Sequence, residues 1–110
     1  MIITLDIDTK DKAVLRNAYE RSKKYGKTDV TETAHGYHLR IHSKVRNIWK
    51  VMRIRKELGD DPMRIFHDTI LIQMGHPELS NRLFERKKNL ADGKWYCEKP
   101  VEMEVQANGK

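Results

Sequence analysis

Carboxylate and imidazole side chains are concentrated in two short segments of this sequence. Asp6 and Asp8 stand two residues apart in MIITLDID, and His35, His38 and His42 fall within HGYHLRIHS. Two carboxylates at positions i and i+2 of a strand lie roughly 7 Å apart at their Cβ atoms, close enough to bracket a divalent ion such as Mg²⁺ or Mn²⁺. A histidine beside them could bind a phosphate or transfer a proton.

The histidine segment admits a helical and an extended interpretation, and each predicts different chemistry. In a helix, His35, His38 and His42 share one face and, with a fourth ligand, form a tetrahedral zinc site. In a strand, His38, Arg40 and His42 share one face, while the residues between them point into a core. Gly36 lies inside the proposed helical face, and few strong helix formers precede it, so the strand is favoured.

The elements that position these residues follow from hydrophobic periodicity. Residues 1–8 alternate and predict a half-buried strand. Residues 10–25 predict a helix that Asp8 or Thr9 caps, and residues 44–58 predict a second helix with Trp49 in the core and a basic outer face. Residues 28–34 and 37–43 read as a hairpin. Residues 63–68 predict a fourth strand, after a turn at Asp60 and Asp61.

This order of elements predicts the fold class. It fits an α+β sandwich, ferredoxin-like or RRM-like, with the order βαββαβ and a C-terminal extension. We expect one domain over residues 1–106, with a short helical turn starting at Pro77, a surface loop at 87–94, an edge strand within 94–106 and a frayed tail at 107–110. Trp95 and Tyr96 are expected to close the sheet edge, with stacking on bases as the alternative.

In such a sheet, the predicted strands bring their polar residues to one open face. That surface would collect Asp6, Asp8, His38, Arg40 and His42, and Asp68 with Arg64 would approach from the fourth strand. Arg40 is suited to clamping a phosphate because its guanidinium donates in a planar fork. The sequence therefore predicts a metal and phosphate site on the face away from the helices.

Composition limits the classes of partner. The chain of 110 residues has a formal net charge of +6 and a pI near 9.5, which favours polyanions such as nucleic acid. Arg46, Lys50 and Arg53 group on one helix face, as a solvated surface or a nucleic-acid contact. No apolar run is long enough for a membrane span and no secretion signal is apparent, so we expect a cytoplasmic protein. Cys97, the single cysteine, is expected to be a half-buried strand residue.

Three motifs resemble one known family. LDID, HGYHLRI and RIFHD occur in the order found in the RRM-like palm of the archaeo-eukaryotic primase superfamily, and Asp6, Asp8, His38 and Asp68 fall on the matching positions. The resemblance covers residues 1–68. It implies that the acidic residues hold two divalent ions for nucleotidyl transfer and that His38 contacts nucleotide phosphates. The family's extra N-terminal module and zinc-binding cysteines have no counterpart here. The chain also resembles small archaeal, viral or plasmid proteins of unknown function, which implies a replication setting.

These features support a leading hypothesis and two alternatives. The leading one is a small nucleic-acid-processing domain with Asp6, Asp8 and Asp68 on Mg²⁺ or Mn²⁺, His38 as a catalytic residue, and phosphate bound by the residues Arg40, His42 and Arg64. The first alternative is a non-catalytic module that binds nucleic acid or a replication protein through its basic surface. The second is a homodimer that pairs edge strands.

Overall fold

Secondary structure follows the predicted order as far as the second helix. The structure is a computed structural model that describes residues 1–83, 86–88, 93 and 95–103. Its first elements are β1 (Ile2–Ile7), α1 (Lys12–Ser22), β2 (Gly26–Glu32), β3 (Tyr37–Ser43) and α2 (Ile48–Glu57). They are followed by α3 (Pro62–Gln73), a 3₁₀ turn (Pro77–Leu79), β4 (Arg86–Lys88), β5 (Trp95–Cys97) and β6 (Lys99–Val101).

The strands form a four-stranded antiparallel sheet in the order β1-β3-β2-β6, and β4 pairs with β5 separately. Leu39 in β3 lies between Leu5 of β1 and Val30 of β2. The α+β class and the pairing of β1 with β3 are therefore confirmed. The strand order differs from a ferredoxin-like sheet, in which the last strand lies beside β1, because β6 pairs with β2 instead.

The core lies between the sheet and helices α1 and α2. It is built from the alternating inward residues of the strands and the buried stripe of each helix: Ile3, Leu5, Leu15, Ala18, Val30, Leu39, Ile41, Val51, Ile54 and Leu58. Each fully buried aliphatic side chain contributes about 1.5–3 kcal/mol of transfer free energy. The two helices are held on one face of the sheet by this burial. No helix within the described ranges is long and apolar enough to cross a membrane.

The helix α1 begins two residues after its predicted start. Asp11 is the N-cap, and its Oδ1 accepts a hydrogen bond from the backbone N–H of Ala13 at 2.9 Å. Thr9 supports this turn, since its Oγ1 accepts from the backbone N–H of Asp11 at 3.2 Å. Asp8 is exposed and is not the cap. A helix needs an acceptor for its first N–H groups, and three residues in this segment could have supplied it.

The turn between β2 and β3 depends on glycine at position 36. A Cβ atom there would lie 1.8 Å from the carbonyl oxygen of Ile7 at the end of β1. Such a distance is far inside van der Waals contact, so a side chain would push the hairpin away from β1. Gly36 thus lets β3 run closely beside β1 and brings His38 opposite Asp6.

The predicted fourth strand at residues 63–68 is wrong, because this segment lies in α3. Asp61 caps the helix by accepting a hydrogen bond from the backbone N–H of Met63 at 3.0 Å, and Pro62 occupies the first turn. Proline is favoured there because the first N–H groups have no intrahelical acceptor. The sequence DDP therefore starts a helix as well as ending α2.

Side chains take the place of the missing fourth strand along the free edge of β1. The backbone N–H of Thr4 donates to Asn81 Oδ1 at 3.1 Å, and that of Asp6 donates to Asp60 Oδ1 at 2.8 Å. The Thr4 carbonyl accepts from Arg64 Nη1 at 3.2 Å. Because these backbone groups are satisfied, the edge of β1 is closed to pairing with another strand.

The C-terminal predictions are confirmed in part. Pro77 begins the 3₁₀ turn, and β6 is the expected edge strand. Residues 86–88 form β4, so the start of the predicted loop is a strand, and Cys97 lies in a strand but is exposed. The remaining loop positions 89–92 and 94 and the tail at 107–110 lie outside the described residues, as do the roles expected of the Trp95 and Tyr96 side chains.

Candidate functional site

The open face of the sheet carries a network around Glu98, which precedes β6. Glu98 Oε1 lies 2.5 Å from Nδ1 of His38 and accepts from Thr31 Oγ1 at 2.7 Å. Arg40 donates in bidentate fashion, from Nη1 to Oε1 and from Nη2 to Oε2, both at 3.0 Å. We call Asp6, Thr31, His38, Arg40 and Glu98 the His38 cluster. The charge of Arg40 is therefore neutralised by Glu98 within this cluster.

Asp6 lies on the opposite side of the imidazole ring. Nε2 of His38 is 3.7 Å from Asp6 Oδ1, whereas Nδ1 faces Glu98. The two carboxylates are therefore separated by the ring and do not converge on one ion. No group of three histidine, cysteine, aspartate or glutamate side chains within the described residues is arranged to hold a metal ion. Asp6 and Glu98 therefore do not supply a shared set of oxygen ligands for the predicted Mg²⁺ or Mn²⁺.

The two carboxylates of the cluster differ in protonation behaviour. Burial raises the pKa of Asp6, an effect that the charges of His38 and Arg64 oppose. Burial would also raise the pKa of Glu98, but the hydrogen bonds from Arg40, Thr31 and His38 together hold it below the ordinary range. Glu98 is therefore the stable anion of the cluster, and Asp6 is the carboxylate that protonates more readily.

The other predicted residues of this face lie apart from the cluster. Asp8 is exposed beyond the end of β1 and makes no hydrogen bond or ion pair with any described residue. His42 is exposed, and its Nε2 lies 2.7 Å from Asp29 Oδ2. His35 is exposed in the turn before β3, so the helical zinc interpretation is wrong because the segment is extended. The open face thus brings together Asp6, His38 and Arg40, but not Asp8.

A second charged network is buried between α2 and α3. Arg55 Nε donates to Asp60 Oδ2 at 2.7 Å, and its Nη1 donates to Asp68 Oδ2 at 2.8 Å. Arg64 Nη1 donates to the same Asp60 oxygen at 2.8 Å. We call Arg55, Asp60, Arg64 and Asp68 the Arg55 network. Two cations and two anions balance there, and the Arg55 and Asp60 side chains have no exposed surface.

This network places two predicted site residues away from the His38 cluster. The sequence predicts Asp68 at the end of a strand beside Asp6, but its carboxylate accepts from Arg55 and from the backbone N–H of Asn81 at 2.9 Å. Arg64 is predicted to bind phosphate, but it is committed to Asp60 and about one eighth exposed. Both side chains make structural hydrogen bonds and ion pairs instead, because α3 replaces the predicted strand.

Two residues that sequence reasoning missed have different signals. Arg55 stands in the buried stripe of α2, four residues after Val51 and three before Leu58. An arginine at such a position needs a buried carboxylate, so its spacing was a usable signal. Glu98 offers no comparable local signal, since its partners Thr31 and Arg40 lie on distant strands.

The outer face of α2 presents an exposed tryptophan among cations. Trp49 is predicted to be core, but it is 47% exposed, whereas Val51, Met52 and Ile54 are the buried apolar residues of this helix. Four exposed basic residues surround it in sequence: Arg46, Lys50, Arg53 and Lys56. None of the four forms an ion pair with a described residue. We call these four residues and Trp49 the α2 basic face.

The primase resemblance would unite Asp6, Asp8, His38 and Asp68 around metal ions. The structure brings Asp6 and His38 together, leaves Asp8 beyond the strand and places Asp68 in the Arg55 network. A comparison of the sequence with protein-family models finds no match, and comparisons with curated proteins and with solved structures find no similar chain.

Proposed function

We propose that this protein is a nucleic-acid-binding module and that the α2 basic face is its contact surface. The observation that carries the proposal is the exposure of Trp49 within a row of unpaired cations. A tryptophan of a monomeric domain ordinarily buries most of its surface, so its exposure here suggests a ligand. An aromatic ring between basic side chains is the arrangement that binds single-stranded nucleic acid.

The spacing of these residues favours one continuous surface. Arg53 follows Trp49 by four residues, and Lys56 follows Arg53 by three, so their side chains are neighbours along the helix. Asn47 fixes the start of α2 by accepting hydrogen bonds from the backbone N–H groups of Trp49 and Lys50 at 2.9 and 3.3 Å. The ring therefore projects from a rigid helix, where a base could stack on it.

The distribution of charge also favours this face over the predicted one. Arg40 and Arg64 are neutralised by Glu98 and Asp60, so they offer little to a phosphate. On α2, the acidic residue Glu57 is engaged with Tyr25 and Lys24, leaving the cations of the basic face without an acidic partner in the described structure. Free cations release counterions when they meet phosphates, and this release drives affinity.

The test measures the affinity of the full chain for a labelled single strand over a series of salt concentrations. Trp49→Ala should weaken binding by roughly 1–3 kcal/mol, the usual value of one stacked base. Lys50→Gln with Arg53→Gln should make the slope of log affinity against log salt shallower by about 1.4, since each phosphate contact on a single strand contributes about 0.7. Binding should persist when divalent ions are chelated, because the α2 basic face contains no metal donors.

Matched controls distinguish the contribution of this surface to affinity from the effects of net charge and of exposed apolar area. Lys12→Gln with Arg16→Gln removes the same charge from the exposed face of α1 and should leave most of the affinity. Val14→Ala removes exposed apolar area from α1, outside the α2 basic face, and should also leave most of the affinity. Equal losses in the α1 and α2 pairs would reject the assignment to α2, and binding without salt dependence would reject the proposal itself.

A further inference from the structure

The outer face of α3 is an apolar stripe. Met63, Phe66, Ile70 and Met74 are spaced by three, four and four residues, and they are 71%, 62%, 38% and 66% exposed. We call these four residues the α3 stripe. Asp68 is the buried residue of this helix, and it joins the Arg55 network on the side away from the stripe. The apolar side is left facing outward.

The α3 stripe is also uncharged, unlike most of the exposed surface. The ionisable residues of α3 are Arg64, His67 and Asp68. Arg64 and Asp68 belong to the Arg55 network, and none of the three is part of the stripe. Two copies of a chain with net charge +6 repel one another over most orientations. At the α3 stripe, two copies can meet without bringing lysines and arginines of this helix together. The charge distribution therefore favours a second copy as the occupant.

We propose that the α3 stripe is a homodimer interface in which α3 packs antiparallel to the same helix of a second copy. The order of residues along the stripe is methionine, phenylalanine, isoleucine, methionine, which is nearly the same when read in either direction. An antiparallel two-fold pairing places Met63 opposite the partner's Met74 and Phe66 opposite the partner's Ile70. Such self-complementarity is what a two-fold interface requires.

The area of the stripe sets the expected strength of this dimer. The four residues expose on the order of 500 Å², and a specific interface buries about 800 Å² on each partner. The stripe supplies the apolar centre, and neighbouring residues of α3 and the 3₁₀ turn, including Leu79, supply the remainder. We expect a dimer that dissociates on dilution rather than an obligate one.

The first test is sedimentation equilibrium of the full chain without nucleic acid, from low micromolar to sub-millimolar concentration. The wild-type chain should shift from monomer to dimer mass across this range. Phe66→Lys should weaken association by at least about tenfold, which is 1.4 kcal/mol, because it places a charge at the centre of the interface. Val14→Lys is the matched control, since Val14 is an exposed aliphatic residue on α1.

The second test examines the antiparallel pairing itself. Phe66→Lys and Ile70→Glu should each weaken self-association, but an equimolar mixture should form a heterodimer. In the mixture, the introduced lysine lies opposite the introduced glutamate on one side of the two-fold axis, and the native pair is kept on the other side. Melting temperatures equal to that of the wild-type chain would confirm that both variants retain the fold.

Three outcomes would overturn the proposal. A wild-type chain that stays monomeric throughout the range would leave the stripe to a different protein. A Val14→Lys variant that weakens association as much as Phe66→Lys would move the interface away from α3. Variants that fail to associate when mixed would exclude the antiparallel pairing. The α2 basic face takes no part in these tests, so their failure leaves the nucleic-acid proposal standing.

Discussion

The Arg55 network and the His38 cluster both pair arginine with carboxylates beside the same sheet, but they differ in contact with water. The side chains of Arg55 and Asp60 are fully buried, whereas Arg40 is about one quarter exposed and Asp6 about one third exposed. Water reaches Arg40 and Asp6, so it can replace a missing partner of these two side chains. It does not reach Arg55 or Asp60. The Arg55 network should therefore control folding, and the His38 cluster should tune stability with pH.

The position of the Arg55 network explains why so polar a group is buried. Asp60 and Arg64 satisfy backbone groups of β1 at the place where a fourth strand would have paired. The hydrogen bonding of this network is incomplete, since Nη2 of Arg55 is buried and has no hydrogen-bond partner among the described residues. A buried ion pair is weak support for stability in itself. Here it fixes how α3 sits against the edge of the sheet.

The largest expected effect comes from breaking the buried network. Arg55→Met keeps much of the side-chain volume but leaves Asp68 without its cation and Asp60 with Arg64 alone, so the free energy of unfolding should fall by about 3–5 kcal/mol. Arg53→Met, at an exposed position of the same helix, should change it by no more than about 0.5 kcal/mol. Urea unfolding of both variants measures the difference. Similar values for the two would show that the buried charges do not hold α3.

An intermediate effect is expected in the His38 cluster at neutral pH. Glu98→Gln removes the charged acceptor of Arg40 and should lower the free energy of unfolding by about 1–3 kcal/mol. Because folding lowers the pKa of Glu98, its stabilisation is present above the unfolded pKa and is lost as the pH falls through the folded value. The gap between wild type and variant should therefore close in acid.

The control for this prediction is a glutamate in an exposed ion pair. Glu20 lies 3.6 Å from Lys23 on the surface of α1, and Glu20→Gln should cost less than about 0.5 kcal/mol. Unfolding curves over a series of pH values compare the two variants. A Glu98→Gln gap that stays constant down to acidic pH would contradict the assigned role of its carboxylate.

The fold was predictable where local patterns decide it. Alternation of apolar residues located β1 and β3, and helical spacing located α1 and α2. In residues 63–68 the same letters fit a strand or a helix, because Ile65 favours a strand while Met63, Phe66 and Ile70 follow helical spacing. The deciding signal was Pro62 after Asp61, which marks a helix start as well as a turn.

The candidate site was only partly predictable, since half of it depends on long-range pairing. The outward direction of His38 and Arg40 followed from the period of β3. Glu98 reaches them only because β6 pairs with β2, which places it beside Thr31, 67 positions away in the sequence. The exposure of Trp49 was also out of reach, because α2 packs through Val51 and its neighbours and turns the tryptophan outward.

The smallest predicted effect has the opposite sign and distinguishes the two carboxylates beside His38. Folding raises the pKa of Asp6, chiefly through burial, with His38 and Arg64 opposing the change and Asp60 adding to it. The favourable contribution of the protonated form is present below the unfolded pKa and is lost as the pH rises through the folded value. Ionised Asp6 is therefore a cost at neutral pH.

Asp6→Asn should remove that cost without removing the backbone hydrogen bond to Asp60, because Asp6 donates it from its N–H. We expect the variant to gain up to about 0.5 kcal/mol at neutral pH and to match wild type in acid, where the native carboxyl is also neutral. Paired unfolding curves at both pH values measure this. A loss at neutral pH comparable to that of Glu98→Gln would mean that the contact with His38 outweighs burial, and the two sides of the ring would then be equivalent.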